Sequence, residues 1–285
     1  MNKIGITLVA VLFFFLELAQ AYVPSTRTIL NRAARNAGKG IYQIDVDVQF
    51  RTDGDPLILR ERWLVDGADV MSLVVTAGKG SSESYSFEAV YKDGKRTSRD
   101  ETGAVRTVAI SPDFIEGFLH HRTGRSYLDA LIRHRILGQN LASQQKKVKA
   151  LNGTVYQTEA FVRLARTGGV LAYAFGEPTP PDQARVNPGL WIEQDAFLMR
   201  RLRFPSQAEV TADQYIFAAN GLRMPRERVV TWENNSVNLK VAAIRSLSTS
   251  PQIQKQLSTA SVSATPRPMR LPELQIVRDF YGRFR

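Results

Sequence analysis

Residues Ile41 to Phe50, IYQIDVDVQF, alternate without a break. Tyr42, Ile44, Val46, Val48 and Phe50 fall on one side, and Gln43, Asp45, Asp47 and Gln49 on the other. A period of two puts the apolar set on one face of a strand, which commits this stretch to a half-buried antiparallel sheet. The pattern recurs down the chain. TDGDP turns into LILRERWLV, with Leu57, Leu59, Trp63 and Val65 in one row. DGAD turns into VMSLVVTA, which carries Leu73, and a Gly/Ser loop leads to YSFEAVYK, with Tyr85, Phe87 and Tyr91 in one row. DGK and ETG read as hairpin turns that bring in AVRTVAI, so the first third of the chain is a meander.

Helical spacing appears in two places. In PSTRTILNRAARNAGKG, Ser25 can cap a helix bearing Ile29, Leu30, Ala33, Ala34 and Ala37, with Gly38 as its stop. Ser111-Pro112-Asp113 is a helix start, and DFIEGFLHH and SYLDALIRHRIL follow, with Leu128, Leu131 and Ile132 facing inward. After the polar, basic GQNLASQQKKVKALNG, strands resume. They are TVYQTEAFVRLA, VLAYAFG with Leu171, Tyr173 and Phe175, GLWIEQDAFLMRRLRF, DQYIFAANG with Tyr215 and Phe217, RERVVTW with Val230 and Trp232, and VNLKVAAI. About ten or eleven strands against three or four short helices give a mainly β, α+β chain built on one large antiparallel sheet.

The hairpin GLWIEQDAFLMRRLRF poses a specific problem, because neither of its faces is polar. Strict alternation puts Leu190, Ile192, Leu198, Leu202 and Phe204 on one side with Arg200 among them, and Trp191, Phe197 and Met199 on the other with Arg201 and Arg203. A guanidinium in an apolar row needs a partner; Asp213, in the row of Tyr215 and Phe217 on the next strand, can supply it, the alternatives being an exposed position near the rim or a contact with a ligand headgroup.

Residues 1–21 have the layout of a cleaved secretory signal peptide: Lys3, the apolar run IGITLVAVLFFFL, then ELAQA. The reading is therefore an exported, periplasmic bacterial protein. With no cysteine in the chain there is no disulfide, thiolate site or lipid-anchor cysteine, and stability has to come from the core. The net charge of +11 survives removal of Lys3 with Glu17. In that compartment it points to anionic lipid headgroups rather than nucleic acid, or to solubility alone.

Catalytic patterns are absent from the sequence. His120 and His121 are adjacent and diverge by about 100° on a helix, and with His134 they read as solvated or helix-end histidines rather than a metal site. GRSYL lacks the glycines of a nucleophile elbow, GKGSS lacks phosphate-loop spacing, and Asp45 and Asp47 lie on a strand's polar face. We therefore expect a binding protein with no cofactor, not an enzyme. The chain beyond residue 250 differs in texture. STASVSATPRP reads as a linker not ordered on its own, and LPELQIVRDFYGRFR as a basic aromatic stretch with Leu274, Val277, Tyr281 and Phe284 near one helical face. That stretch could dock on a partner, on a membrane surface, or back on the domain.

The order helix, meander, helical insertion, then GGVLAYAFGEP, PGLWIEQDAFLMRRLRF, DQYIFAANGLRMPRERVVTW and VNLKVAAIRSL resembles the periplasmic lipoprotein carriers of the LolA/LolB-like superfamily, across about residues 25–247. The resemblance implies an unclosed antiparallel β half-barrel over residues 22–250, lidded by short helices, with residues 251–285 as an added linker and tail. It also implies that the concave face holds lipid or lipoprotein acyl chains. On this reading the cavity row is Tyr42, Ile44, Val46, Trp63, Leu73, Phe87, Tyr173, Ile192, Leu198, Arg200, Leu202, Tyr215, Phe217 and Trp232. The alternative is an envelope interaction module that binds a protein partner through its basic surface and tail.

Overall fold

The computed structural model describes residues 23–78, 85–138, 145–150, 153–158, 162–264 and 269–285, with only the backbone described for 145–150 and 153–158. The signal-peptide segment lies outside the described residues. Helix α1 (Thr26–Arg35) leads into the meander β1 (Ile41–Phe50), β2 (Leu57–Val65), β3 (Val70–Ala77), β4 (Ser86–Lys92), β5 (Lys95–Arg99) and β6 (Val105–Ala109). Helices α2 (Glu116–Leu119) and α3 (Gly124–Arg133) interrupt the strands, and β7 (Gln145–Ala150) and β8 (Gly153–Thr158) form a separate hairpin. A second meander follows: β9 (Val162–Thr167), β10 (Val170–Phe175), β11 (Gly189–Glu193), β12 (Met199–Arg203), β13 (Glu209–Phe217), β14 (Arg223–Trp232) and β15 (Asn235–Leu247). The chain ends in α4 (Pro251–Gln256), α5 (Thr259–Ala264) and α6 (Gln275–Arg283).

Among the described residues, thirteen strands make one antiparallel sheet in the order β6-β5-β4-β3-β2-β1-β15-β14-β13-β12-β11-β10-β9. The two meanders are fused where β15 pairs with β1, and β6 and β9 stand at opposite ends without pairing, so the sheet is an unclosed half-barrel. The strand count exceeds the sequence reading because β5 is short, because β7 falls in the stretch read as a polar, basic link, and because TVYQTEAFVRLA supplies two strands. β8 pairs with β7, whereas β9 joins the main sheet. Turn chemistry sets the register. Asp93 and Gly94 at φ 51° and 73°, and Gly168 and Gly169 at φ 54° and 82°, have the left-handed pair that a two-residue hairpin requires.

The concave face carries the main core. Tyr42, Ile44, Val46, Val48 and Phe50 from β1 are all at most 1% exposed, and α1, α2, α3 and α6 pack against the same face. On the convex face, α4 and the residue after it lay Ile253 and Leu257 on Ile41 and Leu64. The stretch read as an irregular linker is thus helical at Thr259–Ala264 and is held to the sheet by Arg99, which donates to the carbonyls of Val262 and Ser263 at 3.0 and 2.8 Å. Past it, Arg270 bridges to Ser86 at the start of β4, and the chain passes to the concave side as α6.

Candidate functional site

The concave hollow is walled by the two meanders and filled from one side by α6. Val277, Phe280, Tyr281 and Phe284, at most 2% exposed, come from the periodic apolar face of α6. Phe280 meets Phe50 edge-on at 5.5 Å between ring centroids, Tyr281 meets Phe87 at 5.7 Å, and Phe284 meets Trp232 at 5.0 Å. Burying four such side chains contributes roughly 6–12 kcal/mol of gross transfer free energy at about 1.5–3 kcal/mol each. Of the three docking targets open in the sequence, the tail takes the domain itself.

Among the described residues, four charged side chains, Glu61, Glu116, Arg228 and Arg285, sit buried inside this apolar hollow. Arg285 grips Glu61 in bidentate fashion, Nε to Oε1 at 2.8 Å and Nη2 to Oε2 at 3.1 Å, with both side chains fully buried. Its Nη2 also lies 3.5 Å from Glu116 Oε1, to which Arg228 Nη1 donates at 2.5 Å. The Arg285 guanidinium is layered between Trp63 and Phe280, 5.4 and 4.8 Å from their centroids, and Trp63 Nε1 donates to Glu61 Oε2 at 2.9 Å. Burial acts to raise the Glu116 pKa, but Arg228, the His120 ring 3.7 Å away and Arg285 outweigh it and hold the carboxyl below the usual carboxylate range. Burial likewise acts to deprotonate Arg285, and Glu61 and Glu116 outweigh it, so the guanidinium stays charged. Sequence reasoning passed over this cluster. The available signal was Glu61 in the row of Leu59 and Trp63, and Arg228 in the row of Val230 and Trp232, charges at positions that alternation assigns to the inside.

Most of the residues expected to line a cavity point into the hollow as packed core. Tyr42, Ile44, Val46, Trp63, Leu73, Phe87, Tyr173, Ile192, Leu202 and Trp232 are at most 3% exposed and belong to one apolar cluster. Tyr42 is also tied by its hydroxyl, which accepts from the Lys39 N–H and donates to the Ala219 carbonyl, both at 3.1 Å. Gly38, at φ 64°, makes room for it, since a Cβ there would collide with the Tyr42 hydroxyl.

Three positions differ from the reading. In β12 the pairs Ile192 with Met199 and Trp191 with Arg201 leave Arg200 as an extra, bulged residue. With Phe197 at φ 56°, that bulge reverses the parity, so Phe197 and Met199 join the core and Leu198 is buried outside it. Phe217 is 68% exposed at the end of β13, beneath the Arg223 guanidinium, because left-handed Gln214 (φ 50°) breaks the alternation after Ala212. Tyr215 is only partly buried. Its hydroxyl donates to the Met199 carbonyl and its ring lies 5.4 Å from the Arg200 guanidinium.

Arg200 is neutralised by Glu193 and Asp213, each at 2.6 Å. On the other face Arg201 and Arg203 lie 5.0 and 5.4 Å from the Trp191 centroid and share Glu209. The guanidiniums in this hairpin are therefore covers for aromatic rings, balanced by acids on neighbouring strands. Changing Arg200 to Leu strands a part-buried Glu193, and we expect a loss of about 1–2 kcal/mol in urea unfolding with the aromatic near-UV signature of the hollow unchanged.

His120 and His121 are buried, at 1% and 6% exposure, rather than solvated, while His120 and His134 do cap the ends of α2 and α3. His121, His134, Phe114 and Phe118 line a cavity of about 550 Å³ beside α2. Burial, with Arg133 and the other two histidines, lowers the His121 pKa to about 3, and burial lowers that of His134 to about 4. Both are neutral in the folded protein, whereas the unfolded chain takes up protons below about pH 6.5, so stability is full above that pH and falls as acid is added. Between pH 7 and pH 5 the His121 contribution should remove about 1–2 kcal/mol, and H121F should flatten the urea midpoint over that range. Among the described residues no group of three or more His, Asp or Glu side chains is placed to hold a metal ion. Asp45 and Asp47 are bound to Arg62 and Arg60 across the convex face, at 3.1 and 2.5 Å, as cross-strand pairs.

The chain is similar in fold to solved structures. A DUF1329 family protein from Desulfovibrio piger superposes with a TM-score of 0.51 over 83% of this chain and 97% of its own, at 10% sequence identity. A LolA superfamily protein from Nitrosomonas europaea gives a TM-score of 0.47 at 11% identity over 81% and 97% of the two chains. A domain described as an outer membrane lipoprotein-sorting protein, from Vibrio parahaemolyticus, gives 0.45 at 10% identity over 78% and 91%. At these identities the likeness is one of fold. No family model and no curated protein matches the sequence.

Proposed function

We propose that this chain is a non-catalytic cell-envelope binding protein whose concave face takes the acyl chains of a lipid or lipoprotein, with α6 holding the hollow closed when no ligand is present. The observation that carries the reading is the nature of the lid. The apolar rows of both meanders face one hollow, and the part that fills it between Phe50, Phe87 and Trp232 is a nine-residue helix at the far end of the chain rather than an element of the sheet. Such a helix can leave without unpairing any of the thirteen strands, and the surface it uncovers matches an alkyl chain at about 0.8 kcal/mol per buried methylene. The fold it shares with the structures above is compatible with this use. The other reading, a module that captures a protein partner with its tail, has less support, because the aromatic face of α6 is spent on the protein's own hollow.

Purification from a bacterial envelope followed by native mass spectrometry and lipid extraction tests the proposal. We expect acyl-bearing species at up to one per chain, at higher occupancy in F280A, where the lid is weakened. Protein that carries no acyl species in either form would refute it.

A further inference from the structure

Among the described residues, the fully buried charges of the hollow do not balance without α6. The wall supplies Glu61, Glu116 and Arg228, two carboxylates against one guanidinium, and Arg285 brings the second cation. His120 approaches Glu116 at 3.7 Å through a ring nitrogen. Arg96, part-buried at the margin, donates to backbone oxygens of Tyr281 and Arg285, at 3.1 and 2.5 Å. When α6 leaves, Arg228 stays on Glu116 and Glu61 keeps the Trp63 N–H, and an alkyl chain that refills the hollow buries that carboxylate again without Arg285. A buried carboxylate without a cation is one of the costliest arrangements a protein interior can hold.

Resting on the reading above, we infer that the hollow selects amphiphiles with a cationic head, a primary ammonium or guanidinium that takes the place of Arg285 on Glu61 while an alkyl chain follows the path of Phe284, Phe280 and Val277. In the closed state α6 mimics such a ligand, with a guanidinium at its inner end and apolar side chains along one face. An anionic or neutral chain would have to leave Glu61 uncompensated or force a proton onto it. The surface works in the opposite direction, since a net charge of +11 draws anions to the protein. A preference for the cation therefore has to originate in the hollow.

Isothermal titration of the full chain with dodecylammonium, dodecanoate and dodecanol, below their aggregation limits, tests this. We expect dodecylammonium to bind at least about 30-fold more tightly than dodecanoate, and the preference to vanish in E61Q. R285M keeps the fold's apolar lid but removes its cation, and should tighten dodecylammonium about tenfold without helping dodecanoate. Equal binding of all three, or a cation preference that persists in E61Q, would overturn the charge inference and leave the acyl hollow standing. No binding of any of the three would overturn both. If E61Q fails to fold, R285M decides alone, and an unchanged dodecylammonium affinity in it counts against the inference.

Discussion

Replacing Glu61 with Leu alone should destabilise the protein by about 3–5 kcal/mol, whereas replacing Glu61 and Arg285 together with Leu should cost only about 0–2 kcal/mol. The single change leaves the Arg285 guanidinium buried between Trp63 and Phe280, with Glu116 as a partner at 3.5 Å already committed to Arg228 at 2.5 Å. The double change removes the charge with its counter-charge and leaves one Trp63 N–H without an acceptor, worth about 1–3 kcal/mol as an unsatisfied buried donor and partly offset by the added apolar packing. Urea midpoints for the two single variants and the double variant form a cycle. A double variant as unstable as the sum of the singles would show that the pair is not coupled.

The second large effect belongs to Phe280. Its ring touches Phe50, Trp232, Tyr281 and Phe284 and lies under the Arg285 guanidinium, so truncation to Ala should cost about 3–5 kcal/mol. We expect the loss to be local. The α6 amides should exchange with deuterium much faster, while β1, β2, β14 and β15, held by ladders on both sides, keep most of their protection. If the protection of β1 falls in step with that of α6, the helix is an inseparable part of the core and not a lid.

Much of this fold was legible in the residues because strand alternation and turn chemistry are local properties. IYQIDVDVQF is β1 as read, and the two meanders follow from their turns. What escaped was decided by tertiary context. The bulge at Arg200 changes which residues of MRRLR face the core, and nothing in the alternation marks it. His120 and His121 are buried because α2 lies in the hollow, which helix periodicity alone does not place. The tail was read with its apolar face in the right positions, Val277, Tyr281 and Phe284, but the choice among membrane, partner and self is set by the complementarity of Arg285 to Glu61, residues 224 apart in sequence. Leu274, placed on the same face, is 42% exposed at the N-cap of α6.

On the function proposed above, α6 and an alkyl ligand compete for one hollow. The chain has no cysteine, so two can be introduced as the only spin-label sites, at Gln275 on α6 and Lys240 on β15, both exposed. Distances between the labels, measured by pulsed electron resonance with and without dodecylammonium or dodecanoate under conditions where titration shows binding, test the competition. We expect one short distance in the free protein and a second, longer population that grows with ligand occupancy. A single distance that stays unchanged while ligand is bound would contradict it.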